Sequence, residues 1–104
     1  FDVLRGRHAV TIDAERLIEL VNRDPDVIVI DSRLPTDRSM GFIPGSVSLP
    51  DTLTDCASLA RIIPEKSSPV VFYCNGPRCR RSDRAVMVAT ACGYSTIHWF
   101  RGGM

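Results

Sequence analysis

Cys74 follows the apolar run Val70-Val71-Phe72-Tyr73 and opens the segment Asn75-Gly76-Pro77-Arg78-Cys79-Arg80-Arg81-Ser82. The run reads as a short buried strand, and from Ser82 an Ala- and Val-rich stretch with helical spacing begins. A strand that delivers a cysteine into a loop opening a helix sets a thiol among converging backbone N–H groups and the positive end of a helix dipole. Arg78, Arg80, Arg81 and Arg84 crowd the same segment. Such surroundings lower a thiol's pKa and favour either the nucleophilic thiolate or an anionic group carried on its sulfur. A strand-end cysteine by itself would signify packing, because free cysteine is among the most buried residue types. The loop glycine and the arginines tip the balance toward chemistry, although Arg84 suits a solvated helix face.

The remaining cysteines point elsewhere. Cys92 lies in the apolar stripe of a helix and Cys56 in another helical segment, so both are expected in the core. Four cysteines at irregular spacing do not make a disulfide framework. Metal is not expected: only His8 and His98 could join Cys74 and Cys79, with no second close pair of ligands.

The elements that must position the loop alternate between strand and helix. Residues 1–8 read as a polar, basic lead-in, and Ala9 to Ile12 as a short strand. Asp13 can cap a helix whose Ala14, Leu17, Ile18 and Val21 share one face, and Asp24-Pro25-Asp26 breaks it. Val27 to Ile30 is a continuous β-branched run, as in a central parallel strand, and it ends on Asp31-Ser32-Arg33. Residues 34–45 form a loop with room for one helical turn. Val47 to Leu49 is a brief strand, and Asp51 or Thr52 can cap a helix to about Ile62. After the cysteine strand, the last helix ends near Cys92 with Gly93 as its cap, and Ile97 to Phe100 is a final strand. Strand–helix alternation implies an α/β domain with a mostly parallel sheet, in which ligands bind past the carboxyl ends of strands. Asp31, Arg33 and Cys74 should therefore share one edge.

Composition restricts the partners. The chain has 104 residues, 44% hydrophobic and 24% charged, which is one ordinary globular domain. A net charge of +1 gives no general pull toward nucleic acid or anionic membrane, so the local arginine cluster suits a small anion. No run approaches a membrane span, and a soluble protein is expected, its compartment left open with the cytoplasm slightly favoured over the periplasm. The start at Phe1 and the end at Gly102-Gly103-Met104 read as the edges of a domain trimmed from a larger, multidomain protein.

With these elements in place, the chain resembles the rhodanese family over about residues 10–104. Asp31-Ser32-Arg33 is similar to the family's Asp-x-Arg, and Gly41-Phe42-Ile43-Pro44-Gly45-Ser46 to its Gly-His-Ile-Pro-Gly-Ala. Residues 73–82 resemble the active-site loop of a subgroup with a longer Cys-Asn-Gly-Pro-x-Cys-x-Arg-Ser loop. Gly93-Tyr94 and Trp99-Phe100-Arg101-Gly102-Gly103 resemble its last strand and double glycine. The resemblance implies a rhodanese-like fold, a five-stranded mostly parallel sheet flanked by helices on both faces, spanning residues 9–104. It implies sulfurtransferase chemistry without a cofactor. Cys74 attacks the outer sulfur of a donor such as thiosulfate, and the resulting persulfide passes its sulfur to cyanide, to a thiol or to a protein acceptor. Asn75 to Ser82 would bind the substrate anion, with Arg78 and Arg81 foremost and Arg80 a further candidate, while Asp31 and Arg33 are structural. Cys79 either packs under the loop or, as a second thiol, attacks the Cys74 persulfide and releases sulfide.

Departures from the family pattern are Phe42 for His, Ser46 for Ala, and Asp37 and Arg38 for an acidic and an aromatic residue, the last two expected to loosen local packing. Six residues separate Cys74 from Arg81, against four in the commonest loops. Counted to Arg80 the spacing is the Cys-x5-Arg of phosphatases. A cysteine-dependent phosphatase or arsenate reductase is thus an alternative, although Arg81 rather than Ser or Thr follows and no general acid is evident. A non-catalytic module that docks or regulates within a larger protein is another.

Overall fold

The cysteine-bearing strand is the middle of the sheet. In the computed structural model, which describes residues 9–76 and 78–103, five strands run β1 (Ala9–Ile12), β2 (Ile28–Asp31), β3 (Val47–Ser48), β4 (Val70–Tyr73) and β5 (Ile97–Phe100). Their order is β1-β5-β4-β2-β3, and all four pairings are parallel. The expected lead-in at residues 1–8, and Pro77 of the candidate site, lie outside the described residues.

Every residue of β4 is buried, as a central strand with helices on both faces requires. Its side chains alternate between two cores. Val70 and Phe72 join Ile30, Leu59, Ala85, Ala89 and Ile97 on one face. Val71 and Tyr73 join Ile12, Leu17, Leu20, Val29 and Phe100 on the other. The first face is covered by α3 (Cys56–Ile62) and α4 (Arg81–Ala91), the second by α1 (Ala14–Arg23). A single turn of helix, α2 (Pro35–Arg38), stands in the 34–45 loop.

Caps set several boundaries. The Asp13 carboxylate accepts from Arg16 N at 2.9 Å and starts α1. At the end of α4, Gly93 N donates to Thr90 O and Tyr94 N to Ala89 O, with Gly93 at φ +96°. That is a Schellman ending, which glycine adopts without a Cβ penalty.

Three local expectations are corrected. In α1 the buried residues are Leu17 and Leu20, whereas Ile18 and Val21 stay 60% and 46% exposed. Neither Asp51 nor Thr52 caps a helix to Ile62: a separate 3-10 turn covers Asp51–Leu53, and α3 starts afresh at Asp55. There Asp55 accepts from Ser58 N at 2.7 Å and Ser58 Oγ accepts from Asp55 N at 3.0 Å, a reciprocal cap readable in Asp55-Cys56-Ala57-Ser58. Finally, Cys56 and Cys92 are not core thiols. They form a disulfide between the start of α3 and the end of α4, with Cα atoms 5.5 Å apart.

Candidate active site

Cys74 sits immediately past β4 and is only 1% exposed. The chain then turns, with Cys79 N donating to Gly76 O at 3.0 Å, and α4 begins at Arg81. The turn brings Cys79 back over Cys74: the two are paired as a disulfide, with Cα atoms 6.2 Å apart. Gly103 closes the loop from behind at φ +60°. A Cβ there would stand 2.8 Å from Gly76 N and 2.9 Å from the Cys74 carbonyl carbon, and would run into the Cys74 oxygen. Only glycine lets this backbone approach so closely.

Beneath the loop lies a buried polar network. Asp31, fully buried at the end of β2, receives five hydrogen bonds. Its Oδ1 accepts from Arg33 N at 3.0 Å and Arg33 Nε at 2.9 Å. Its Oδ2 accepts from Arg33 Nη2 at 2.8 Å, Arg38 Nη1 at 3.1 Å and the Tyr73 hydroxyl at 3.1 Å. Burial by itself would raise the Asp31 pKa, but the hydrogen bonds and charge of Arg33, with the Tyr73 hydroxyl, together hold it below the ordinary carboxylate value. Arg33 carries the network upward, donating to Gly41 O at 2.7 Å and to Asn75 Oδ1 at 3.3 Å. Asp31 and Arg33 thus stand at the same sheet edge as Cys74, one residue from it through Asn75.

Arg38 does not loosen its surroundings. It donates to Ser46 Oγ at 3.1 Å and to Ser46 O at 2.7 Å, and its guanidinium lies 3.9 Å from the centre of the Phe42 ring. Ser46 Oγ in turn meets the Tyr73 hydroxyl at 3.0 Å. Three departures from the family pattern, Arg38, Phe42 and Ser46, therefore form one cluster whose members satisfy one another.

The arginines of the loop divide into two groups. Arg81 and Arg84 turn to Asp51, at 2.7 Å and 3.1 Å, and pin the start of α4 to the 3-10 turn. Arg78 and Arg80 instead line a cavity of about 350 Å³ with Cys79, Asp83, Trp99 and Arg101. A second opening of about 360 Å³ is lined by Asn75, Gly76, Arg78 and Cys79. Ser82, 2% exposed, accepts from Trp99 Nε1 at 2.9 Å and so positions the ring that walls the first cavity. Arg101, which sequence reasoning left unassigned, joins the cluster because β5 ends beside β4; its guanidinium lies 5.6 Å from the Trp99 ring centre. Asp51 was also missed, since nothing in a single segment pairs it with Arg81 thirty residues on. Among the described residues no helix is long and apolar enough to cross a membrane.

A parallel α/β sheet with a cysteine loop between its central strand and a helix, beside a basic cavity, is the architecture of a strand-end thiol site. The chain matches the rhodanese-like domain family over residues 13–104, and it belongs to that family. It is 33% identical over 94 residues to a rhodanese domain-containing protein of Drosophila melanogaster, CG4456, spanning 79% of this chain and 82% of that protein. It is 28% identical over 102 residues to the thiosulfate:glutathione sulfurtransferase of Saccharomyces cerevisiae, spanning 88% of this chain and 70% of the relative. Among solved structures, an uncharacterized Saccharomyces cerevisiae protein superposes with a TM-score of 0.72 at 26% identity, covering 91% of this chain and 87% of that one. The family to which the chain belongs therefore includes sulfurtransferases.

Proposed function

We propose that the protein is a sulfurtransferase that carries a sulfane sulfur on Cys74, taken from thiosulfate or a persulfide donor and passed to a thiophilic acceptor such as cyanide or a thiol. The observation that carries this reading is the position of Cys74, buried at the carboxyl end of β4 in a loop that opens onto arginine-lined cavities. The reduced thiolate attacks the outer sulfur of thiosulfate, the S–S bond breaks, and sulfite leaves with the electron pair. Arg78 and Arg80, which no carboxylate among the described residues holds as Asp51 holds Arg81, meet the donor's negative charge as charge-assisted donors. Backbone N–H groups of the loop after Cys74 and of the start of α4 receive the anionic persulfide. Arg81 and Ser82 fix the helix start, through Asp51 and Trp99, rather than reach the donor. The covalent intermediate splits one transfer into two displacements, and nothing in it calls for a cofactor.

The test is intact-protein mass spectrometry of the reduced protein after brief exposure to thiosulfate, with sulfite assayed in parallel, on wild type and Cys74→Ser. Sulfite release by the wild type and none by the variant supports the reading. Equal release from both refutes it, and none from either removes thiosulfate as the donor.

A further inference from the structure

We infer that Cys79 is a second working thiol of this site, which resolves the Cys74 persulfide and makes the protein a thiol-dependent, sulfide-releasing enzyme. This deepens the sulfurtransferase reading and rests on it for the loading step.

Three observations converge. The Gly76–Cys79 turn holds the two sulfurs in bonding contact, with a Cα separation of 6.2 Å inside the range that a disulfide spans. The two cysteines differ in access: Cys74 is 1% exposed, while Cys79 is half-buried and lines both cavities. A basic wall, Arg78, Arg80 and Arg101, stands on the Cys79 side, with Asp83 its one carboxylate among the described residues. A site that only handed sulfur from Cys74 to an external acceptor would have no use for a second thiol in bonding contact, since that thiol intercepts the persulfide faster than a dissolved one can reach it.

The chemistry balances. Loading leaves Cys74 as a persulfide anion. Cys79 Sγ attacks Cys74 Sγ, and the bond between that sulfur and the outer sulfur breaks. The outer sulfur departs as hydrosulfide with the electron pair and the proton of the Cys79 thiol. The sulfane sulfur has been reduced by two electrons, and the two cysteine thiols have been oxidised to the disulfide seen in the structure. Two molecules of a small thiol restore the site. The first attacks the accessible Cys79 Sγ and expels Cys74 as thiolate, the leaving group that the loop favours; the second releases Cys79 and carries away the small-thiol disulfide. Three arginines on that approach select a thiol bearing carboxylates.

Reduced protein freed of reductant is given one equivalent of thiosulfate, and sulfite, sulfide and intact mass are followed for wild type, Cys79→Ser and Cys79→Ala. The wild type is expected to release sulfite and sulfide in equal amounts and to end two hydrogens lighter, with Cys74 linked to Cys79. Both variants are expected to release sulfite only and to gain one sulfur atom, yielding sulfide after glutathione is added. Sulfide release by the variants at the wild-type rate, or a stable persulfide on the wild type, overturns the inference. Absence of sulfite from all three proteins counts against the thiosulfate reading alone. Inorganic polysulfide then loads Cys74 directly, and the same comparison of masses decides the role of Cys79.

Discussion

Arg33 Nη1 lies 3.3 Å from Asn75 Oδ1, so the buried carboxylate–guanidinium pair at the end of β2 holds the residue next to Cys74. Truncating Arg33 would leave Asp31 buried without its main partner and Asn75 without its anchor. Arg33→Ala is expected to lower unfolding free energy by about 3–5 kcal/mol, the usual cost of breaking a buried pair. Urea denaturation measures this, and an effect under about 1 kcal/mol, typical of an exposed pair, would contradict it.

Asp31 also fixes the sign of an acid response. Its pKa is lower in the folded protein than in the unfolded chain, so below the unfolded value the unfolded state binds more protons and stability rises with pH. The contribution is complete above the unfolded carboxylate value of roughly 4 and is lost as pH falls through the folded one. Urea midpoints followed from pH 7 downward should fall more steeply for wild type than for Asp31→Asn. Parallel curves would remove Asp31 as the source.

Gly103 is expected to tolerate no side chain. In Gly103→Ala the left-handed φ of +60° costs about 1–2 kcal/mol, and the Cβ would displace the Cys74 carbonyl. A displacement near 1 Å at a nucleophile can cost on the order of 100-fold in rate. Sulfite release should therefore fall far more than thermal stability does. Unchanged turnover would show that the loop does not lean on this residue.

Arg78 and Arg81 should separate in kinetics. Arg78→Ala is expected to raise KM for thiosulfate by about tenfold, the loss of one charge-assisted contact. Arg81→Ala should chiefly lower stability, because it removes the 2.7 Å pair with the buried Asp51 carboxylate. The reverse assignment would place Arg81 at the anion instead.

The Cys56–Cys92 bridge closes a loop of 36 residues between α3 and α4. Replacing both cysteines with alanine is expected to cost about 3 kcal/mol under non-reducing conditions. Addition of a dithiol reductant should bring wild type to the same level; no difference between the two proteins would deny the bridge a role in solution.

The strands and the place of Cys74 past the central one were legible because each depends on local pattern: β-branched runs, a terminal cysteine, glycine and arginine in the loop. What escaped was long-range. The pairing of Asp51 with Arg81 and the bridge of Cys56 to Cys92 depend on how α3, α4 and the 3-10 turn pack, which periodicity within a segment cannot express. The apolar stripe of α1 was misread for a related reason. A helix on one face of a sheet needs only a narrow contact, so Leu17 and Leu20 suffice while Ile18 and Val21 face outward. Arg38 was misjudged because its value lies in Ser46, Phe42 and Asp31 together.

The rear wall of the cysteine loop arrives late in the chain. Cys74 is laid down before α4 and β5, whereas Gly103 follows β5, the strand inserted between β1 and β4. A nascent domain thus holds its thiol for some thirty residues of synthesis before the sheet that encloses it can close. The thiol is walled in only at the completion of the fold, when the first strand and the last have found each other.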